Sequence, residues 1–394
     1  GSVADNEAGR SVAVDRDGNA YVVGEFGGGT EGAAFDGHVL TPAGGTDWAL
    51  LKYDASGTLL LAERLGGGEG ADAPTAVVLA DDGLYVAGNA APGASFGGIE
   101  PAAAGAQTAV ALRVDVDLRV RWAVPLGAGA VNAAAASGDA LYVSGTTSPR
   151  ADGGAPDAFL SRIAGADGAA VWTKTIAGGG ADAGRGVVAD EGGVFQTGTF
   201  SGTAAVAGTV LTAAGETDGY LASFDPSTGK GRWAVAFGGA GDEAVRACAS
   251  ADGIVCVGSF ERAASFGAFN LADAGVSDAF LFRVAEVPGS PDGKGRSIPS
   301  LGLTVRRAGE TALAYAVFSP NDIPLSDVRL ADPACATLPA FVNGDADADG
   351  VLDGGETWTF ACPSSVTDLV GVALPVVSAE GNGSRVSAPA AWLK

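Results

Sequence analysis

The chain has no methionine, a single histidine and four cysteines among 394 residues, and its 23 lysines and arginines stand against 46 aspartates and glutamates. Each scarcity excludes something. One histidine, His38, removes zinc sites built on several imidazoles and leaves Ser-His-Asp chemistry to one loop residue. A net charge of −23 denies the basic patch that nucleic acids and anionic membrane surfaces require, so neither is an expected partner. No apolar run approaches the roughly eighteen residues that span a bilayer, no signal-peptide pattern is present, and direct membrane insertion is not expected. The Gly1-Ser2 start has the form of a cleaved-tag scar, so the chain is expected to be a piece whose export signal and anchor lie elsewhere. Helix-period stretches are missing too, and no glycine cluster leads into a helix as a phosphate loop would. What is present is globular: 47% hydrophobic against 18% charged residues excludes a disordered acidic chain, and 63 glycines announce many tight turns.

The chain repeats itself. An element written DWALLKYD at Asp47 returns as TAVALRVD at Thr108, DAFLSRI at Asp157, DGYLASFD at Asp218 and DAFLFRV at Asp278, at intervals of 61, 49, 61 and 60 residues. Before each stands a second element (NAYVVGEF at Asn19, LYVAG at Leu84, LYVSG at Leu141, VFQTGTF at Val194, IVCVGSF at Ile254) and, further upstream, a third such as SVAVD at Ser11 or GVVAD at Gly186. A fourth follows in four of the five units, as in RWAVPLG at Arg121 and RWAVAFG at Arg232; the last unit has no counterpart. Short alternating runs bounded by turn signals are strand grammar. Four strands per unit and five units predict an all-β chain with a five-bladed β-propeller over residues 1–289.

From Ser297 the grammar changes to strands without those elements, SIPSLGLTVRRAG, TALAYAVFS, DVRLADPAC, ETWTFACP and GVALPVVSAEG, which predict an Ig-like β-sandwich over 297–394 behind a linker at 290–296. The first part, through GAGDEA at Gly239, EGADA at Glu69, DGNAYVVGEF, FDGHVLT and DAFL followed by RWAV, resembles the bacterial SBBP β-propeller repeat over roughly residues 5–286. The second, through DxDxDGxLDxGETWTFxC with an upstream DPxC, resembles Ig-like domains found in series on large bacterial surface proteins. These resemblances imply fold and an extracellular setting, secreted or on the cell surface, and leave the ligand open.

The sharpest motif is GDADADGVLDGGETW from Gly344. Counting Asp345 as position 1, Asp347 is 3, Asp349 is 5, Gly350 is 6, Val351 is 7, Asp353 is 9 and Glu356 is 12, which reproduces a twelve-residue calcium loop. Alternate aspartates can turn oxygens inward while the chain curls, position 7 lends a carbonyl, and the distal glutamate closes the shell. Calcium is therefore the expected cofactor, with flanking strands rather than the helices a sensor needs.

Cys335 and Cys362 bracket that loop, and a disulfide there would clamp it; two free core thiols are the alternative. Cys248 and Cys256 flank the turn at Ala251-Asp252-Gly253, where a three-residue loop pairs 248 with 256 across adjacent strands. Either a cross-strand disulfide or core-filling thiols would suit, since valine holds these positions elsewhere (Val12 and Val187, Val22 and Val86).

Two sets of repeated acids, Asp47 with Asp157, Asp218 and Asp278, and Glu7 with Asp72, Asp182 and Glu243, are expected to satisfy turns and pair repeats. Lys52, Arg113, Arg162 and Arg283 share one position, and Trp122, Trp172 and Trp233 another. Trp48 stands where other repeats keep Ala109, Ala158, Gly219 and Ala279, so it either fills a gap or contacts a ligand such as a sugar ring. No catalytic residue is nominated. The expectation is a non-enzymatic binding or adhesion module for a glycan, cell-surface or matrix component, stiffened by calcium. A structural spacer of a larger surface protein is the alternative, followed by a polysaccharide-active enzyme with paired carboxylates that break the repeat.

Overall fold

The computed structural model describes residues 7–27, 32–68, 70–102, 104–150, 152–190, 193–250, 254–266, 269–271, 277–284, 302–307, 312–318, 324–331, 335, 338–353, 356–363, 376–381, 384–389 and 391–393. Every regular element among them is a β-strand. The chain divides into two compact units, Gly1–Ala236 and Phe237–Lys394. The expected linker at 290–296 lies outside the described residues.

The first unit is an array of antiparallel sheets in which long strands pair with their sequence neighbours and short hairpins are set aside between them. Ala8–Val14, Ala20–Gly27, Thr46–Tyr53 and Leu59–Leu65 make the first repeat. Repeats two and three share a single strand of 18 residues, Val120–Ser137. Its first half closes one sheet against Thr108–Val114 and its second half opens the next against Ala140–Thr147. Ala183–Ala189, Val194–Phe200 and Asp218–Phe224 continue the pattern into the fourth repeat. The second and third strands of the second, third and fourth repeats, such as Gly83–Ala90 and Thr108–Val114, are buried nearly throughout. Their near-continuous apolar runs suit a strand covered on both faces. Core clusters accordingly join residues of successive repeats, with Leu50 and Val86 in one and Leu160 and Tyr220 in another.

The turns explain themselves. Asp54 Oδ1 accepts the N–H groups of Ser56 and Thr58 at 2.9 Å each, and Asp115 Oδ1 accepts those of Asp117 and Arg119 at 2.9 Å each. Asp15 and Asp225 do the same in their repeats. These bonds favour the ionised form, and with the hydroxyl groups of Ser227 and Thr228 they hold the Asp225 carboxyl well below the usual range. The first strand of every repeat also carries a bulge at one place, after Gly9, Pro74, Val131, Gly184 and Val245. A bulge re-aims the extra side chain. Thr75 uses it to bond Val131 O at 3.0 Å, and Asn132 to bond Gly184 O at 2.7 Å, so these two bulges reach the next repeat, while Arg10 turns to Glu25 of its own.

In the second unit, Glu243–Ser250, Ile254–Phe260 and Asp278–Val284 form a three-stranded sheet, beside which Phe237 packs on Phe266, Phe280 and Phe282 at 4.9–5.8 Å. Beyond it, Gly302–Arg307, Ala312–Phe318, Ala340–Asn343, Thr357–Pro363 and Ala391–Leu393 build a five-stranded sheet, and Ser326–Ala331, Val376–Gly381 and Ser384–Pro389 a three-stranded one. Val317, Leu325, Leu330, Leu352, Trp358 and Phe360 are buried here.

Candidate functional site

The acidic loop connects Ala340–Asn343 to Thr357–Pro363, two strands that pair directly. Left-handed residues curl it: Gly344 at φ 118°, Ala348 at 61° and Gly350 at 77°. The curl brings one carboxylate oxygen each from Asp345, Asp347 and Asp349 within 4.8 Å of one another. Asp345 Oδ2 accepts Gly350 N–H at 3.0 Å, while its Oδ1 is buried with no hydrogen-bond partner. Asp349 Oδ1 accepts Val351 N–H at 2.8 Å. The Asp353 carboxyl is raised, first by desolvation and then by the charges of Asp349, Asp347, Glu356 and Asp345, so all five acids stand in one field. Such a set fits a hard divalent cation, which would relieve the repulsion.

Glu356 sits differently from the closing bidentate ligand the spacing suggests. Its Oε1 accepts Ala346 N–H at 2.7 Å; Oε2 accepts Asp353 N–H at 3.1 Å and the Trp358 indole at 3.2 Å, and these bonds lower its pKa. It thus clasps the two ends of the loop. Each oxygen keeps further acceptor capacity for a cation. Leu352 is buried and bridges Leu325 through two backbone bonds of 3.0 and 2.8 Å, which ties the loop to the strand that begins at Ser326. Cys335 is disulfide-bonded and no cysteine is free among the described residues; the Cys362 side chain lies outside them.

The repeated acids of the first unit are buried, with Asp47, Asp72, Asp157, Asp182 and Asp218 all under a tenth exposed. Asp47 Oδ2 accepts Ala43 N–H at 2.7 Å and Asp218 Oδ2 accepts Ala214 N–H at 2.8 Å, one turn duty in two repeats. Arg64 pairs with Asp47 at 3.2 Å, and Arg150 with Asp157 at 2.7 Å. Asp72 and Asp182 belong to the following repeats, and the backbone brings them beside the first pair. Asp72 N–H donates to Thr46 O at 2.8 Å, and Asp182 N–H to Pro156 O at 2.9 Å. Burial pushes Asp72 up to about 6 and Asp182 to about 7, each helped by its neighbour's charge.

A second repeated device joins the shared basic and tryptophan positions. Cross-strand register sets Tyr85 opposite Arg113 and Arg113 opposite Trp122, and likewise Tyr142, Arg162 and Trp172. The Arg113 guanidinium lies 4.5 Å from the Tyr85 ring centre, and Lys52 Nζ lies 5.3 Å from that of Tyr21. From this ladder a donor crosses to the next repeat. Trp122 Nε1 donates to Gly165 O at 2.8 Å and Trp172 Nε1 to Pro226 O at 3.1 Å. In the first repeat Leu61 takes the tryptophan position, and Lys52 Nζ makes the corresponding bond to Val116 O at 3.0 Å. A cleft of about 600 Å³ opens among these turns, lined by Tyr85, Arg113, Asp115, Arg121, Trp122 and Asp139. Its arginines are paired, Arg121 with Asp115 at 2.6 Å and Arg113 with Asp82.

Trp48 is not a ligand platform. It is fully buried, 5.0 Å from the Phe96 ring, with Nε1 donating to Asn89 O at 3.3 Å. Its ring lies across Gly88, where an added Cβ would come within 2.6 Å of it. His38 is exposed at the start of His38–Leu40 and pairs with Phe35, as a strand side chain. Cys248 and Cys256 face each other in the strand pairing and are bonded. The acid pairs escape a reading of spacing alone, because their partners come from different repeats about 25 residues apart. One signal was available: the junction without the first acid (Thr108) also lacks the second (Gly129).

No family model matches the chain, and no curated protein sequence does. Among solved structures it aligns with a quinohemoprotein alcohol dehydrogenase of Pseudomonas putida HK5, at 11% identity and a TM-score of 0.34, over 77% of this chain and 55% of that one. The chain thus spans about half the length of that neighbour. The neighbour is an enzyme, and the expectation that this chain is not one is corrected on that finding. At this level the alignment carries no reaction, substrate or cofactor across. Among the described residues no helix is long and apolar enough to cross a membrane.

Proposed function

We propose that the chain is a secreted or cell-surface bacterial binding module. In this reading residues 1–289 form a five-bladed propeller of the SBBP type and 290–296 a linker. Residues 297–394 form an Ig-like sandwich stapled by calcium, and the partner is a glycan or another cell-surface or matrix component. The observation that carries it is the convergence of Asp345, Asp347 and Asp349 on one point of a strand-flanked loop. A permanent ion there stiffens a β-module without any helix to swing. Val351 would add its carbonyl, with Asp353 and Glu356 completing an oxygen shell of the size calcium takes. The acid-rich cleft beside Tyr85 and Arg113 offers the polar groups a sugar would engage.

Two measurements on the whole chain test the reading. Calorimetric melting with calcium or with a chelator should shift the transition of the second unit and leave that of the first nearly unchanged; equal shifts, or none, would sink the calcium staple. A glycan array should return a family of related sugars, and a blank array together with no binding to matrix proteins would remove the binding role.

A further inference from the structure

The buried acids at two junctions of the first unit would hold uncompensated charge if every carboxylate were ionised. Asp157 Oδ2 is held by Arg150 at 2.7 Å, a charge-assisted pair. Its Oδ1 is buried without a hydrogen-bond partner. Asp182 is 1% exposed, and neither of its oxygens reaches a donor in normal geometry. The groups facing Asp182 are the N–H groups of Ser201 and Gly178, which fall short of good hydrogen-bond geometry, then Asp157, Arg150 and the buried Tyr220 hydroxyl, with Arg185 beyond Tyr220. Two negative charges beside one paired guanidinium would leave a buried carboxylate uncompensated, at a penalty of several kcal/mol. A bound proton removes that penalty and turns an orphan acceptor into a donor.

We propose that Asp157 and Asp182 share one proton, with the carboxylic acid of Asp182 donating to the free oxygen of the Asp157 carboxylate, and that Asp47 and Asp72 repeat the device. At the earlier junction Arg64 and Ala43 N–H hold Asp47 Oδ2, and Asp47 Oδ1 is again buried and partnerless. Asp72 meets its two backbone donors more closely than Asp182 meets Ser201 and Gly178, accepting Ala91 N–H at 2.6 Å and Gly67 N–H at 2.7 Å, which weakens its hold on a proton. The junction between these two is the internal control. Its backbone is the same, with Gly129 N–H on Gln107 O at 3.2 Å, and Thr108 Oγ1 takes Ala104 N–H just as Asp47 takes Ala43. Both acids are gone there together, so the pair is kept or lost as one unit.

The device makes the first unit sensitive to pH in an unusual direction. Both second acids carry folded values above the ordinary aspartate range, about 6 for Asp72 and about 7 for Asp182. The folded state therefore binds protons that the unfolded chain has released. The stabilisation is fully present below pH 4 and is lost as pH rises through 6 and 7. The test is thermal melting of the whole chain from pH 5 to 9, wild type against Asp182→Asn. Asparagine places an N–H donor where the acid O–H stood and has no proton to lose. The wild type should melt roughly 5 °C lower at pH 8.5 than at pH 5.5, and the variant should lose part of that fall and melt above wild type at pH 8.5. A variant that tracks the wild type at every pH, or melts below it at pH 8.5, overturns the proposal. Infrared spectra of the wild type decide the matter independently of how the variant folds. A protonated carboxylic carbonyl band at pH 6 that vanishes by pH 9 is expected, and its absence at pH 6 overturns the shared proton.

Discussion

Replacing Trp48 by alanine separates a packing role from a recognition role. The side chain is fully buried, so truncation removes an indole from a closed space bounded by Phe96 and the backbone of Gly88. Comparable deletions destabilise by about 3–5 kcal/mol, the spread reflecting how far the site collapses. Collapse here is opposed on one side by backbone, which favours the upper half of that range. The indole hydrogen bond to Asn89 O, at 3.3 Å, adds only about 0.5 kcal/mol. In a unit of this size each kcal/mol moves the melting point by about 2–4 °C, so Trp48→Ala should lower the first transition by about 10 °C. Trp48→Phe, which keeps a ring, should lower it by about a third as much. Differential scanning calorimetry reads both, and near-ultraviolet circular dichroism reports whether the remaining tryptophans keep their environment. A drop below 2 °C in the alanine variant, combined with a change in glycan binding, would refute the burial argument and restore Trp48 as a contact residue.

Asp349→Ala should reproduce the effect of chelation on the second unit, and a wild-type calcium response in that variant, read by titration calorimetry, counts against the loop. Reducing the Cys248–Cys256 bond, or replacing both cysteines by valine in the manner of Val77 opposite Val86, tests its worth. The chain-entropy account gives about 2–3 kcal/mol for so short a loop. Valine packing should return part of this, and a double-valine variant less stable than the reduced protein in urea titration would show that packing does not substitute. Trp122→Phe removes the bond to Gly165 O and leaves a carbonyl to find water, at about 1–2 kcal/mol, visible as a lower urea midpoint. Asp225→Ala should weaken the first unit at pH 7 and matter less as pH falls, because a depressed carboxyl contributes only above its unfolded value and loses that contribution on protonation.

The strand pattern was legible because alternation and Asx turns are local. Asp54, Asp115 and Asp225 sit where their own backbones need an acceptor, and the register that opposes Cys248 to Cys256 followed from counting across a three-residue turn, which left bond and free thiols open. The twelve-residue acid spacing likewise placed three aspartates together. Less local facts were hidden. The merger of two sheets through Val120–Ser137 depends on the chain continuing extended past Gly127 and Gly129 instead of turning. Ala340–Asn343, Ser384–Pro389 and Ala391–Leu393 are short strands whose existence rests on tertiary partners more than on pattern. Glu356 carries the position of a ligand, yet its oxygens are drawn to backbone donors that only the folded hairpin presents. Trp48 showed that its environment differs from that of Ala109 or Ala158, without showing that the difference is an interior space.

The donor that each of the first three repeats extends to a carbonyl of its successor has a consequence for how such a chain can change length. The bond is directional: a side chain at the end of one sheet meets a backbone atom of the next, so the receiving repeat needs no particular residue. Glycine, proline and valine all serve as acceptors, at Gly165, Pro226 and Val116. A copied repeat therefore arrives already able to accept, and brings its own donor for whatever follows. Lys52 shows that the donor too can be exchanged when the tryptophan is missing. Growth by duplication then requires no invented interface, and a newly inserted neighbour is recognised by the one feature every polypeptide shares.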